Sequence, residues 1–379
     1  LHQGMTSRDL TDNVEQMQIL QSSNLIFGRY ISVLRHMIER ANEYGDIVIV
    51  GRSHHQAAQP ITLGKRMSMW GQEQLLHLES FRDFIDRYPL RGMKGAMGTQ
   101  SDMLELLGEE SKVDALEMMI AKHLGFSHVL DSVGQVYPRS LDSELASRLV
   151  ALSSAPSSFA KTMRLMAGYD LVTEGFKSGQ VGSSAMPHKM NTRSSERING
   201  LNVVLKGYQT MLGALAGDQW EEGDVSCSVV RRVAIPDLFY ASDGLCETTL
   251  TVLNEMGVYI PVINNELRRY LQFIESTQFL MMATKAGIGR EQAHDVIKKY
   301  CIEEALAMRE EGREPRVAER LVEDPLFKSA GITKDDLYRV LENVSVGRSH
   351  SHVKQVSSRA DRLLTEYAEM AKYEPGEIL

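Results

Sequence analysis

Proline is scarce in this sequence: ten residues in 379, against the roughly nineteen that average usage would give. With few helix breakers and 20 methionines among abundant Leu, Ala and Glu, the chain favours long helices over turn-rich sheets. Cysteine is nearly absent as well. Cys227, Cys246 and Cys301 cannot all pair and show no CxxC spacing, which excludes a disulfide scaffold and points to reduced thiols in a cytoplasmic protein. No uncharged apolar run reaches the roughly 18 residues of a membrane span, so no membrane partner is expected. No secretory leader pattern is visible, and the chain opens at Leu1 rather than Met, so the expectation is that it starts inside a domain.

Positive charge is in deficit. Lys and Arg number 42 against 50 Asp and Glu, a net charge of -8, which excludes a nucleic-acid coat and no nucleic-acid partner is expected. An anionic ligand must then be met by locally concentrated cations. No His, Cys or carboxylate cluster has metal-ligand spacing and no glycine-rich phosphate loop follows a strand, so neither a metal nor an organic cofactor is expected. Repeats and low-complexity tracts are missing too.

What is present is helical periodicity. From Asp9 onward Val14, Met17, Leu20, Phe27, Ile31, Leu34 and Ile38 recur at gaps of mostly three and four, the stripe of a helix packed along one side. Thr6 followed by Asp9 forms a capping box at its start. A second helix is expected from Pro60 to Tyr88-Pro89, a third over 141–175 with a kink or break at Pro156, a fourth over 194–217 and a fifth over 233–256. Long helices that bury one stripe need partners of similar length, which predicts an all-α elongated bundle shared between subunits. After Ile260-Pro261 the helices shorten and charge density rises, as expected of a smaller C-terminal helical domain.

The segment richest in chemistry is Gly182-Ser183-Ser184-Ala185-Met186-Pro187-His188-Lys189-Met190-Asn191. Two hydroxyls after glycine make a loop whose backbone N–H groups can meet an oxyanion or a carboxylate. Lys189 adds a point charge and Asn191 a directional amide. Lys189, Arg193 and Arg197 against Glu196 concentrate positive charge there. Such a loop is either an anion site or a solvated turn.

The run GSSAMPHKMN resembles the signature loop of the fumarase/aspartase superfamily, whose members cleave C–N or C–O bonds and release fumarate. Further matching pieces are His2-x-Gly4-x-Thr6-Ser7-x-Asp9, Arg52-Ser53-His54-x-Gln56-x-Ala58-Gln59-Pro60, Lys94-Gly95-x-x-Gly98-Thr99-Gln100, Gly134-Gln135 and Gln219-Trp220. Within the superfamily the chain is most similar to the adenylosuccinate lyase family. The resemblance implies a homotetramer around a core of about twenty bundled helices. It divides the chain into a remnant of an N-terminal domain (1–8), a central long-helix domain (9–258) with the signature loop at 180–197, and a C-terminal domain (259–379). Relatives carry about ninety further residues ahead of the point matching Leu1, by ordinary domain size.

The same resemblance assigns roles. Ser183 matches the catalytic base and His54 the general acid. Ser184, Lys189 and Asn191 match the loop's contacts to the succinyl group, and Thr6 and Ser7 match hydroxyl donors to the substrate. Gln135 matches a substrate-amide contact, and Ser228, Arg232 and Arg197 match nucleotide contacts. His2 matches a residue that binds phosphate or orients His54, and Lys94 falls in a matched substrate-binding piece. Three departures stand out: Gly223 where many relatives carry Arg, Thr192 where Pro follows the loop, and Ser53 in place of Thr. The residues alone also leave open another fumarate-releasing lyase, of argininosuccinate lyase or cycloisomerase type, and a non-catalytic structural homologue or inactive fragment.

Overall fold

Helix α1 (Ser7–Glu43) sets the length of the molecule: 37 residues at 1.5 Å each span about 55 Å. The structure is a computed structural model describing residues 2–175, 186 and 188–376. Thr6 caps α1, its backbone N–H donating to the Asp9 carboxylate at 2.7 Å, as the sequence predicts. The helix is more deeply buried than one stripe. Its first half sinks polar Asp9, Asp12, Asn13 and Gln16, and in its second half Tyr30 to Leu34 are buried in unbroken succession. A helix buried at positions well beyond one stripe does not show all its partners as a single periodicity.

At the far end of α1 the chain forms an antiparallel hairpin, β1 (Val48–Ser53) and β2 (Gln56–Thr62). This is the main exception to the all-helical expectation. Thr62 then caps α2 (Leu63–Arg87), its hydroxyl accepting from the Lys65 N–H at 3.0 Å. Gly64 lets α2 start against α1, since a Cβ there would lie 2.2 Å from the Ala41 carbonyl oxygen. Helix α2 runs back to the Thr6 end, where two short helices follow, α3 (Ser101–Leu107) and α4 (Glu110–Leu124).

The expected third helix is two, α5 (Ser140–Leu152) and α6 (Ser154–Ala167), parted at Ser153 and ending short of 175. Pro156 does not break it. It sits in the first turn of α6, where a backbone N–H has no intrahelical acceptor to lose. A two-residue strand β3 (Val172–Thr173) precedes α7 (Arg193–Leu215). Helix α8 (Ser226–Glu255) then returns along α1 and α7 to β4 (Gly257–Val258), which pairs with β3. The remaining elements are α9 (Ile260–Ile274), α10 (Ser276–Lys285), α11 (Arg290–Glu310), α12 (Val317–Glu323), α13 (Pro325–Ser329), α14 (Lys334–Glu342), α15 (Ser349–Glu366) and α16 (Ala368–Ala371). Phe279, Ala293, Ile297, Leu321 and Phe327 centre a second apolar core over α10 to α14, whereas α15 and α16 fold back onto α1.

Helix starts and loops gather at two ends of the molecule. The starts of α1, α5 and α8 meet at one, with the loops 88–100 and 131–139. The hairpin, the end of α6 and the starts of α7 and α9 meet at the other.

Candidate functional site

At the Thr6 end, buried polar groups of α1 hold loops in place. Asp9 Oδ1 accepts from Arg91 Nη1 at 2.6 Å, from the Lys94 N–H at 2.9 Å and from the Gly95 N–H at 3.1 Å. Asn13 exchanges hydrogen bonds with the backbone of Gly92, and Gln16 accepts from the Arg91 N–H and donates to the Pro89 carbonyl. Arg91 Nη2 donates to the Gly95 and Gly134 carbonyls, tying the second loop to the first. These satisfied buried groups fix the backbone around Thr6, Lys94 and Gln135.

Lys94 does not face solvent in this structure. Its ammonium is 2.8 Å from Glu117 Oε2 and its side chain is only 2% exposed. The Glu117 carboxylate also accepts from the Met93 N–H and from Gln100 Nε2. Gln135 is half-buried and anchored by its N–H to the Glu222 carbonyl at 2.7 Å. Ser7 is exposed, and exposed His2 has a positive φ of 69°.

The start of α8 completes this end. Ser228 and Arg232, one turn apart on one face, line a cleft of about 490 Å³ with Glu15, Arg231 and Tyr240. Arg231 is buried and fully engaged, donating to Asp142, Glu15 and Tyr137. Burial opposes its charge, but Tyr137, Asp142 and Glu15 outweigh that and raise its pKa. The Tyr137 phenol is held neutral, its pKa pushed well up by burial and then by Asp142. Arg232 is exposed on the cleft. Arg8, which belongs to none of the matched motifs, donates from Nη2 to Ser228 Oγ at 2.7 Å. Only the fold brings residues 220 positions apart together, so no local signal announces this pair.

At the hairpin end, Ser53 pairs with Gln56 and leaves His54 and His55 as the two residues of the turn. Their φ angles are 50° and 62°. A two-residue turn of this kind demands left-handed backbone at both positions and usually takes Asn-Gly. Two histidines there carry strain of the sort that clusters at functional sites. Both are exposed, and His55 Nε2 lies 3.4 Å from the Tyr169 hydroxyl. Beneath the turn Arg52 pairs with Glu266, while buried Arg66 donates to the Val50 carbonyl and to Met166 Sδ. Burial lowers the Arg66 pKa to about 10.

The C-terminal part of the signature loop lies at this same end. Exposed Lys189 donates its N–H to the Met186 carbonyl, and Met190 Sδ accepts from the Tyr259 hydroxyl. Asn191 is half-buried just ahead of α7, and Arg197 is exposed in the first turns of that helix. Glu174 caps α7 from twenty positions upstream, accepting from the Ser194 and Ser195 N–H groups, each at 2.9 Å. A carboxylate there complements the positive end of the helix dipole. Ser183 and Ser184 lie outside the described residues. Among the described residues no His, Cys, Asp or Glu group of three or more is placed to hold a metal ion. No described helix is long and apolar enough to cross a membrane.

The expected site residues therefore fall into two groups. Thr6, Ser7, Gln135, Ser228 and Arg232 gather at one end; His54, Lys189, Asn191 and Arg197 sit at the other. Even if six-residue β1 doubled straight back along α1 at about 3.3 Å per residue, the turn would stay about 35 Å from Thr6. One chain does not bring the two groups together.

Comparison with known proteins agrees in family and fold. The family described as Lyase matches residues 1–207. The adenylosuccinate lyase of Saccharomyces cerevisiae is 32% identical over 356 residues, 94% of this chain and 73% of that protein. That of Schizosaccharomyces pombe is 32% identical over 333 residues, 86% of this chain and 68% of that one. Among solved structures, a fumarate lyase from Mesorhizobium sp. BNC1 superposes with a TM-score of 0.79 at 20% identity, covering 94% of this chain and 78% of that one. A 3-carboxy-cis,cis-muconate lactonizing enzyme from Pseudomonas putida gives 0.81 at 20% identity, covering 95% and 77%.

Proposed function

Since the chain belongs to the fumarase/aspartase superfamily of lyases, we propose that it is a carbon–nitrogen lyase that cleaves adenylosuccinate to AMP and fumarate. It would release fumarate likewise from succinylaminoimidazole carboxamide ribotide, in purine biosynthesis. The observation that carries this reading is the corner where α8 begins. There Ser228 and Arg232 open together onto a cleft at a helix start, an arrangement suited to a nucleotide phosphate.

The elimination removes a proton from the succinyl carbon beta to the amine. The electron pair first collects on the adjacent carboxyl group as an aci-carboxylate, then forms the double bond of fumarate as the C–N bond breaks. Ser183 is the proposed base. Its hydroxyl is a weak base at its free pKa, so the loop's N–H groups, Lys189 and excluded water must stabilise the alkoxide. His54 protonates the departing nitrogen, a role suited to an imidazole titrating near neutral pH. Lys189 and Asn191 hold the succinyl carboxylates and act most strongly on the extra charge of the intermediate. Thr6, Ser7 and Gln135 donate to the substrate, Ser228, Arg232 and Arg197 hold its nucleotide, and Lys94 keeps the first loop in place through Glu117.

The two-ended placement of these residues supports a site assembled from several subunits of a homotetramer. So do the apolar side chains that α7 and α8 leave exposed: Val203 at 66%, Val229 at 71% and Tyr240 at 75%. Such a face is covered most simply by another copy of the chain. The proposed setting is the cytoplasm, in keeping with three free cysteines.

The test is to mix the protein with adenylosuccinate and follow fumarate by absorbance and AMP by chromatography. Equal amounts of both products are expected. Release of fumarate from argininosuccinate, with neither succinyl nucleotide turned over, would overturn the reading.

A further inference from the structure

We propose that Arg8 is a positioning residue of the phosphate subsite, holding the Ser228 hydroxyl on the cleft beside Arg232; this rests on the lyase reading above. Arg8 donates through Nη2 to Ser228 Oγ at 2.7 Å and through Nη1 to Asp12 Oδ1 at 3.1 Å, with its side chain 13% exposed. A hydroxyl has one hydrogen and two lone pairs. With one lone pair engaged by Arg8, the Ser228 O–H is left to donate into the cleft between α1 and α8 that Ser228 lines.

Arg8 belongs to a charge-balanced cluster in which Arg8, Arg139 and Arg231 face Asp12, Asp142 and Glu15. Asp12 is fully buried and shared, since Arg139 Nη2 also donates to its Oδ2 at 3.2 Å. Asp142 and Glu15 are taken up by Arg231, so exposed Arg232 is the cation left over at the cleft. The Arg139 guanidinium lies over the Tyr137 ring, 4.3 Å from its centre. The loop ahead of α8 offers no substitute at Gly223. That glycine has φ +137°, and a Cβ on it would lie 3.0 Å from Val136 Cγ2. The cation at Ser228 therefore comes from α1. A hydroxyl held by a guanidinium and facing a cleft, one turn from exposed Arg232, fits a phosphate oxygen.

The experiment is titration calorimetry of the full chain with AMP and with adenosine, for the parent, Arg8→Gln and Arg8→Lys, with unfolding midpoints as a check on folding. For Arg8→Gln the AMP Kd should rise about tenfold or more, because Ser228 loses the group that orients its contact to the phosphate, while adenosine affinity stays within about twofold. Arg8→Lys should recover part of the AMP affinity, because it keeps the charge and loses the fork. With adenylosuccinate, KM should rise while kcat holds. Unchanged AMP affinity in Arg8→Gln, or equal losses for AMP and adenosine, would overturn the proposal and leave Arg8 as a structural partner of Asp12. If the parent neither binds AMP nor releases fumarate, the lyase reading falls and this proposal with it; if the parent does both and Arg8→Gln is silent, only this proposal falls.

Discussion

Asp9 and Arg91 meet at 2.6 Å with neither side chain exposed, and the same carboxylate takes the N–H groups of Thr6, Lys94 and Gly95. A buried pair of this kind is costly to split, because the partner left behind keeps its desolvated charge. Asp9→Ala should therefore destabilise the protein by about 3–5 kcal/mol, read as a lower midpoint in urea denaturation. A loss under about 1 kcal/mol would mean that Arg91 finds another acceptor or water.

The His54–His55 turn separates stability from catalysis. Both residues have positive φ, which costs a side chain-bearing residue about 1–2 kcal/mol, partly offset in a glycine variant by the roughly 0.5–1 kcal/mol of extra backbone entropy lost on folding. His55→Gly should raise the unfolding free energy by the difference, about 0.5 kcal/mol or more. His54→Gly should do the same while turnover falls by about 10²–10⁴, the usual contribution of a general acid. A stable His54→Gly variant with near-parental turnover would remove His54 from the mechanism.

Ser183→Ala tests the base. Turnover should fall by about 10²–10⁴, while substrate affinity, which the proposed function assigns mainly to Lys189, Asn191 and the arginines, changes little. Equilibrium binding and single-turnover kinetics together read both quantities. Retention of more than about a tenth of parental turnover at saturation would speak for another base.

Subunit sharing can be counted. His54→Ala and Arg232→Glu chains should each be inactive. If they are unfolded together, mixed equally and refolded, a site needing its His54 segment and its Arg232 segment from different subunits is intact in about one half times one half of cases. Recovery of roughly a quarter of parental activity is expected. No recovery in well-mixed tetramers would place both segments in one chain's site, against the length of α1.

The second core carries an acid-sensitive anchor. Glu304, 2% exposed, accepts from Arg313, the Arg316 N–H and Arg320. The Arg313 hydrogen bond above all lowers its pKa from 4.5 to about 2. The folded state thus releases this proton more readily than the unfolded chain. The stabilisation is complete above the unfolded value and is lost as pH falls from about 4.5 towards 2. Glu304→Gln should be less stable than the parent at pH 7, with the gap closing across that window in a pH series of denaturation curves. A gap that does not change with pH would assign the effect to packing instead.

Periodicity and end signals made the long helices legible: the Thr6–Asp9 box, the stop at Tyr88-Pro89, and α7 to within about two residues. The hairpin was not, because β2 reads Gln-Ala-Ala-Gln-Pro-Ile-Thr without alternation and its turn has neither glycine nor asparagine. The break at Ser153 is signalled only by Pro156, which lies three positions on, in the first turn of the helix that follows. Site motifs could be read as strings, but not their surroundings. Lys94 stands in a matched motif, yet its partner Glu117 lies 23 positions on, in a helix the sequence did not announce. Arg8 and Asp9 are adjacent in sequence, yet Arg8 answers to the start of α8 and Asp9 to the loop of Arg91 to Gly95, a division that only packing creates.

Helix α1 joins the corner of Arg8 and Ser228 to the hairpin of His54 without a joint. Each residue added to a helix advances it about 1.5 Å and turns everything beyond by about 100°. An insertion or deletion of one residue between Asn13 and Ala41 would therefore swing the hairpin out of phase with the Thr6 end, whatever amino acid was chosen. The rod acts as a gauge. Its composition is free to drift on the exposed positions, but its residue count is held fixed by the two corners it must keep in step.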